Sequence, residues 1–186
     1  MIAKPYPDMK TSPNQHRIFF ALWPDAATRA ALLRLQPALD GRHTAVQNLH
    51  LTMAFLGMQA AEVVPQLCAI LAALPGRAIT LDLDKLGYFK REQIAWAGMR
   101  VVPQALLQLQ DALMQSLRAA HIGVEHEPGF APHLTPHLTL SRRASAPALA
   151  SFKTIGWQAS ELALVESWMK SGTRGDYLVR ATRQLA

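Results

Sequence analysis

The chain has 186 residues, 50% hydrophobic and 17% charged, a length for one domain with its own core and a composition that excludes a disordered chain. Nineteen basic against thirteen acidic residues leave a net charge of +6, which favours anionic partners, nucleic acid first among them, without locating a site. The single cysteine, Cys68, excludes an internal disulfide and a cysteine-rich zinc site.

The first sixteen residues carry three prolines and no apolar stretch of secretory type, so 1–16 read as a loose tail before one domain over 17–186. No run reaches the ~18 apolar residues of a membrane span, and the expected location is the cytoplasm. Residues 17–23 read as a strand. Pro24 suits the first position of a helix, which is expected over 26–39 with Leu32, Leu35 and Leu39 on one side, ended by Gly41. Residues 48–56 read as a second strand, closed by Gly57. A second helix places Val63, Leu67, Ile70 and Leu74 at helical spacing, with Cys68 as a reduced core thiol, and stops at Pro75-Gly76. Residues 79–83 and 93–99 read as strands. Pro103 opens a third helix whose buried stripe is Leu106, Leu109, Leu113 and Leu117. After Gly123 comes a loop rich in histidine and proline, a strand over 137–141, and final strands over 161–169 and 177–181.

Both halves run strand, proline-initiated helix, loop, strand, which points to two similar lobes. One short element repeats in sequence: His50-Leu51-Thr52-Met53 and His137-Leu138-Thr139-Leu140. Alternate residues of a strand face opposite ways. Leu49, Leu51, Met53 and Phe55 are therefore expected in the core, with His50 and Thr52 on the other face. Likewise Leu138 and Leu140 point inward while His137 and Thr139 project together. If the lobes face each other, two imidazoles and two hydroxyls meet in one cleft. That set suits a phosphodiester: a neutral imidazole takes a proton, a charged one gives one, and hydroxyls donate to the non-bridging oxygens. The chemistry requires no metal.

These residues resemble the two-histidine (2H) phosphoesterase superfamily, and within it the bacterial RNA 2′,3′-cyclic phosphodiesterases, also called 2′-5′ RNA ligases. The resemblance is carried by Arg17-Ile18-Phe19-Phe20-Ala21, by Asn48-Leu49-His50-Leu51-Thr52-Met53-Ala54-Phe55-Leu56-Gly57, and by Pro136-His137-Leu138-Thr139-Leu140-Ser141-Arg142. It implies a bilobal α+β fold, two antiparallel sheets with flanking helices around a central groove, with an internal pseudo-twofold. It implies hydrolysis of RNA 2′,3′-cyclic phosphate ends, or of small cyclic-phosphate nucleotides, to 2′-phosphomonoesters, with reversible 2′-5′ ligation. By matching position His50 would be the proton donor to the leaving 3′ oxygen and His137 the proton acceptor from water. Thr52 and Thr139 would bind the phosphate, with Arg142 matching a family arginine beside it. No cofactor is implied, and the expected state is a monomer.

A neighbouring copy, His133-Leu134-Thr135, competes with the second motif. Pro132 and Pro136 oppose a strand extending that far, Pro136 fits the family proline, and Arg142 keeps register only with His137. His121, His126, His133 and His137 do not read as a metal site, because the prolines break the helix that their spacing would need. His16 and His43 read as surface residues. Trp23, Trp96, Trp157 and Trp168 fill cores or stack a base, as do Tyr177 and Phe55, with no basis for choosing among them. Lys170 and Arg174, in a Gly/Ser-rich segment, line the groove or sit in a solvated turn. The other reading is a non-catalytic RNA-binding or RNA-processing accessory protein that recognises 2′-5′ linkages or 2′-phosphate ends. A third keeps the chemistry and changes the substrate, to a 2′-5′ oligonucleotide or an ester of the cyclic ADP-ribose type.

Overall fold

The strand that opens the fold, β1 (Gln15–Leu22), is apolar on both faces. Ile18, Phe20 and Leu22 belong to one buried cluster and Phe19 and Ala21 to another. Such a strand needs cover on both sides, and it lies inside a sheet. The structure, a computed structural model, describes residues 15–123, 136–149, 151–168 and 176–186. After β1 come α1 (Ala26–Leu33), β2 (Arg42–His43), β3 (Leu51–Ala60), α2 (Val64–Ala73), β4 (Ile79–Leu83), β5 (Lys85–Phe89) and β6 (Ile94–Gly98). Then follow α3 (Gln104–Ala119), β7 (His137–Arg142), β8 (Ile155–Ala159), β9 (Glu161–Trp168) and β10 (Asp176–Gln184).

Two antiparallel sheets result. The larger has eight strands in the order β10-β9-β1-β3-β7-β6-β5, with β2 also paired to β7; the smaller is β4-β8. The expectation of an α+β fold with two antiparallel sheets and flanking helices holds, but the boundary between lobes is not the boundary between sheets. The large sheet spans both lobes, and at its middle β3 and β7 pair through one residue pair, Leu51 with Leu138. On one side lie β10, β9, β1 and β3; on the other β7, β6, β5 and β2. The helices and the small sheet share one core with one face of the large sheet. Leu32, Leu67 and Leu71, the stripe Leu106, Leu109, Leu113 and Leu117, and Trp157 of β8 all enter it. Among the described residues, no helix residue enters the cluster on the opposite face.

Several local expectations are corrected. Pro24 precedes the helix, and Asp25 is its N-cap, its Oδ1 accepting from the Thr28 N–H at 2.7 Å. The helix ends at Leu33, and Gln36–Ala38 form a 3-10 turn, because the Pro37 ring would clash with the carbonyl four residues back. Asn48 belongs to another 3-10 turn, Val46–Asn48, rather than to β3. The expected tail is two residues too long, since Gln15 and His16 are already in β1; the rest of it lies outside the described residues. Neither His16 nor His43 is merely solvated. His16 Nδ1 lies 2.6 Å from the Glu166 carboxylate, and His43 Nε2 lies 2.9 Å from the Leu39 carbonyl. Cys68 is only partly buried, against the core. β2, β5 and β8 were not expected from the sequence. In β5, Gly87 interrupts the apolar pattern; it pairs with Trp96, whose ring occupies the space that a Cβ would need. No helix among the described residues is long and apolar enough to cross a membrane.

Candidate active site

Cross-strand partners share a face, so the register fixes where each motif points. Along β1 and β3, Leu22 pairs with Leu51 on the core side and Ala21 with Thr52 on the opposite side. Two further pairs, Phe20 with Ala54 and Phe19 with Phe55, show that β3 is not a regular strand. Met53 and Leu56 are skipped in the pairing, each the extra residue of a β-bulge. The first bulge puts both Met53 and Ala54 into the core and turns Phe55 onto the face of Thr52. Phe55, expected in the core, is thus corrected to the histidine face.

The second motif carries the same irregularity at the same place. On β7 and β6, Leu138 pairs with Ala97 and Thr139 with Trp96; Leu140 is skipped, and Ser141 pairs with Ala95 and Arg142 with Ile94. Arg142 follows Thr139 by three and in a regular strand would face away from it. The bulge at Leu140 brings it back to the same side as Thr139. His-x-Thr, a bulged apolar residue, one further core residue, then a side chain on the groove face: the two lobes repeat this order with Phe55 and Arg142 in the final place. A bulge leaves a main-chain carbonyl outside the ladder, which needs a donor elsewhere. Gln110 Nε2 of α3 donates to the Met53 carbonyl at 3.1 Å, and Gln59 Nε2 to that of Leu56 at 2.6 Å. The Leu140 carbonyl receives the Thr44 N–H at 2.8 Å and the Nε2 of buried Gln36 at 3.2 Å.

The antiparallel Leu51–Leu138 pair gives the local twofold its axis. Continued by one residue each way, its register sets His50 against Thr139 and Thr52 against His137, all on the face away from the core. Both leucines are fully buried, so neither strand can rotate the other way without exposing its core side. Here the structure brings the five sequence-predicted site residues together. Thr52 and Arg142 are exposed, and His50, His137 and Thr139 half-buried.

Aromatic rings surround both imidazoles. His50 lies 4.9 Å from the Phe19 ring, 5.7 Å from Trp23 in a nearly parallel stack, and 5.4 Å edge-on from Tyr177. His137 lies 4.9 Å from Phe89 and 5.9 Å from Trp96. Small residues make this possible: Ala21 and Ala163 floor the first cluster, and Gly87 admits the Trp96 ring. The sequence reading missed Phe19 and Phe89, and it could not choose among the tryptophans and Tyr177. The signal in the sequence was a strand with apolar residues on both faces, Phe19 and Trp23 falling on the histidine side. Trp157 fills the core. His133, Lys170 and Arg174 lie outside the described residues, as does the whole neighbouring His-x-Thr copy.

His50 Nδ1 lies 2.7 Å from the Asn48 carbonyl. A carbonyl only accepts, so Nδ1 carries the hydrogen and Nε2 is the acceptor of the neutral ring. Burial is the main cause that pushes the His50 pKa down from 6.5 to about 4. The Asn48 carbonyl opposes this, while the charges of Arg142 and His137 act in the same direction as burial. The second lobe's cation therefore reaches the first lobe's histidine. Arg142 also acts on Tyr177, whose phenol is raised by burial and partly pulled back by Arg142 and Arg17. A clamp holds the Arg142 end of β7. Ser141 Oγ donates to the Asp40 carbonyl at 2.6 Å, and Ser145 donates through N and Oγ to the Asp40 carboxylate, whose pKa these bonds lower. Gly41, with φ +79°, lies beneath this turn; a Cβ there would stand 2.5 Å from the Arg142 carbonyl oxygen. Among the described residues no group of three or more His, Cys, Asp or Glu side chains is placed to hold a metal.

A family model described as the 2′-5′ RNA ligase superfamily matches residues 22–167. An Escherichia coli (strain K12) protein named RNA 2′,3′-cyclic phosphodiesterase is 34% identical over 133 residues, covering 69% of this chain and 73% of that protein. A Thermus thermophilus protein of the same name is 31% identical over 169 residues, 83% of either chain. The crystal structure of E. coli LigT complexed with 3′-AMP aligns with a TM-score of 0.75 at 30% identity, covering 92% of this chain and 98% of that one.

Proposed function

The chain belongs to the 2′-5′ RNA ligase superfamily, and on that premise we propose that it is a metal-independent enzyme that hydrolyses RNA 2′,3′-cyclic phosphate ends to 2′-phosphomonoesters. The observation that carries the reading is the single antiparallel Leu51–Leu138 pair, with one His-x-Thr motif on each of its strands. It gives two imidazoles and two hydroxyls one common face at the parting of the sheet. Small cyclic-phosphate nucleotides offer the same reacting group and are included as substrates.

In the proposed mechanism His137 takes a proton from water as the water oxygen bonds to phosphorus. The bond from phosphorus to the 3′ oxygen breaks, the 2′ ester remains, and His50 gives its proton to the departing 3′ oxygen. Thr52, Thr139 and Arg142 bind the non-bridging oxygens, where charge gathers. His50 is neutral near pH 7 in the free site, given its pKa of about 4. The substrate brings the remedy: a phosphate anion beside the ring favours its charged form and raises its pKa. The donor is thus loaded with the substrate. In 2′-5′ ligation a 5′-hydroxyl takes the place of the water and the roles are unchanged; the reverse cleavage, in which the 3′-hydroxyl attacks phosphorus and the 5′ oxygen leaves, exchanges them.

Residues 15–186 act as one bilobal domain in this reading, supported by the core that both lobes share. One chain supplies both histidines, which suits a monomer, and RNA ends as substrates suit the cytoplasm. A binding protein without turnover is the weaker reading, since both motifs are intact. The test is an oligonucleotide ending in 2′,3′-cyclic phosphate, incubated with the protein and a chelator. A 2′-phosphate product is expected. A 3′-phosphate product would overturn the assignment of the leaving oxygen, and the absence of product from any cyclic nucleotide would overturn the enzyme.

A further inference from the structure

Arg17 is not used by the mechanism, yet it stands on the groove face. It pairs with Met58 and Ser167, in register with Phe19 and Ala21 on the same side of β1. Its guanidinium lies 4.8 Å over the Phe55 ring. Phe55 occupies that face only because of the bulge at Met53. By the internal twofold, Phe55 is the counterpart of Arg142, three residues after the motif threonine. The first lobe thus has a ring where the second has a guanidinium, and sets another guanidinium on top of the ring. Both Arg17 and Arg142 act on the Tyr177 phenol. In the register of the sheet Phe55 stands level with Phe19, and Tyr177 level with Arg17 through Ser167.

Resting on the proposed function, we propose that Arg17 and Phe55 form a subsite for the phosphodiester next upstream of the cyclic phosphate, on the RNA strand that carries it. The direction follows from the roles. The departing 3′ oxygen belongs to the ribose of the reacting end, so that ribose and its upstream chain lie on the His50 side. Water, or an incoming 5′-hydroxyl in ligation, arrives on the His137 side. Phe55, under the Arg17 guanidinium, pairs with Phe19, and Thr52 with Ala21, two residues further along β1; that is roughly 6.6 Å at the usual rise, and one nucleotide of extended backbone covers a similar length. A guanidinium resting on a ring keeps its planar fork, suited to a phosphate, while the ring limits the side-chain freedom lost on binding. The subsite makes the enzyme favour oligonucleotide ends over mononucleotides.

The test compares kcat/KM for a trinucleotide ending in 2′,3′-cyclic phosphate with that for 2′,3′-cyclic AMP, in wild type, R17Q, R17K and K85Q. Lys85 is the matched control: its Nζ lies 5.5 Å over the Trp96 ring of the other lobe, so K85Q removes the same charge from the His137 side. R17Q is expected to lower the trinucleotide-to-mononucleotide ratio about tenfold, through KM. It is also expected to reduce the slope of log(kcat/KM) against log salt by about 0.7 for the trinucleotide alone. R17K, which keeps the charge, retains most of the slope. Equal losses on both substrates in R17Q would overturn the subsite, as would an unchanged ratio, or a K85Q ratio that falls as far as that of R17Q. If wild type hydrolyses neither substrate, it is the proposed function that fails, a result distinct from all of these.

Discussion

His50 lies against Phe19, Trp23 and Tyr177, and its Nδ1 is tied to the Asn48 carbonyl. His137, at the equivalent place in the other lobe, lies against Phe89 and Trp96. The strands that carry them match down to the bulge after the threonine, so the difference lies in what each lobe sets around a common frame. The first lobe buries its histidine far enough to keep it neutral, with a pKa of about 4, and ends the motif with Phe55. The second ends it with a cation, Arg142. A duplicated strand therefore supplies two copies of one acid–base group, and the two lobes set different neighbours around them. His50 gives its proton in the proposed reaction although its free ring is neutral, so its charge has to come with the substrate phosphate, which raises the pKa of the ring beside it.

The largest effect that can test this division comes from removing each histidine. General acid or base catalysis contributes about 10²–10⁴-fold, so His50→Ala and His137→Ala should each cost that much in kcat with the oligonucleotide substrate. His133→Ala should retain most of the activity; the reverse result would transfer the second role to the neighbouring copy. Chemical rescue separates the two roles. A substrate with a better leaving group than the 3′ oxygen should recover rate in the His50 variant, which lacks the donor, and not in the His137 variant. Recovery in the His137 variant alone would reverse the assignment.

The last residues of the two motifs offer a smaller contrast. Arg142→Gln removes the cation beside the reacting phosphate, and a loss of about 10–100-fold in kcat/KM is expected on mononucleotide and oligonucleotide alike. Phe55→Ala removes the ring under Arg17, which also packs against Phe19 and its cluster; it should cost less, and mainly on the oligonucleotide. A Phe55→Ala variant as impaired as Arg142→Gln on cyclic AMP would show that the two positions do not divide the work.

The lowered pKa of His50 also makes anion binding depend on pH. The free ring titrates near 4, and a bound anion raises its pKa. Binding therefore takes up a proton, and affinity must rise as pH falls from the bound value towards about 4, levelling off below it. Sulfate is the suitable probe, because it does not itself titrate in that window. Calorimetry should show affinity growing by up to about tenfold per pH unit at the steepest for this one group, with the slope between about pH 4 and 5 reduced in His50→Gln. A pH-independent sulfate affinity in wild type would remove the argument that the donor is loaded with the substrate.

Much of this site was legible because its strands obey simple alternation up to the threonine. Leu51 and Leu138 point inward, and the histidines and threonines point outward as period two requires. The stripe of leucines in α3 was equally plain, since a helix buries one face. Alternation fails after the threonine in both strands, and there the sequence misleads about Phe55 and gives no structural reason for Arg142. A bulge is a relation between two strands, and nothing in one strand alone announces that its partner will skip a residue. The rings around the histidines were hidden for a related reason. Phe19 and Trp23 come from β1 and the residue that follows it, Tyr177 from β10, and only the pairing order brings them to His50. β5 went unseen because Gly87, a poor strand residue by itself, is there to admit the Trp96 ring.

The bulges are the shared device on which both halves of the comparison depend, and they differ in how they are held. In the second lobe the Leu140 carbonyl accepts the Thr44 N–H as well as the Gln36 side chain. In the first, the donor to the Met53 carbonyl is Gln110, reaching across from α3. Gln110→Ala should therefore strand a carbonyl at a buried residue and cost about 1–2 kcal/mol, seen as a Tm lower by roughly 2–8 °C. If the bulge is what turns Phe55 to the groove, the same variant should also weaken the preference for oligonucleotides while sparing cyclic AMP. Gln36→Ala should lower Tm comparably, because Gln36 also serves the Thr44 carbonyl at 2.7 Å, but the Thr44 N–H still holds Leu140 and so keeps Arg142 in place. A Gln36 variant that lost activity on cyclic AMP in step with Arg142→Gln would mean that the main-chain bond alone cannot hold the second bulge, and that both lobes rely on a glutamine to aim their last residue.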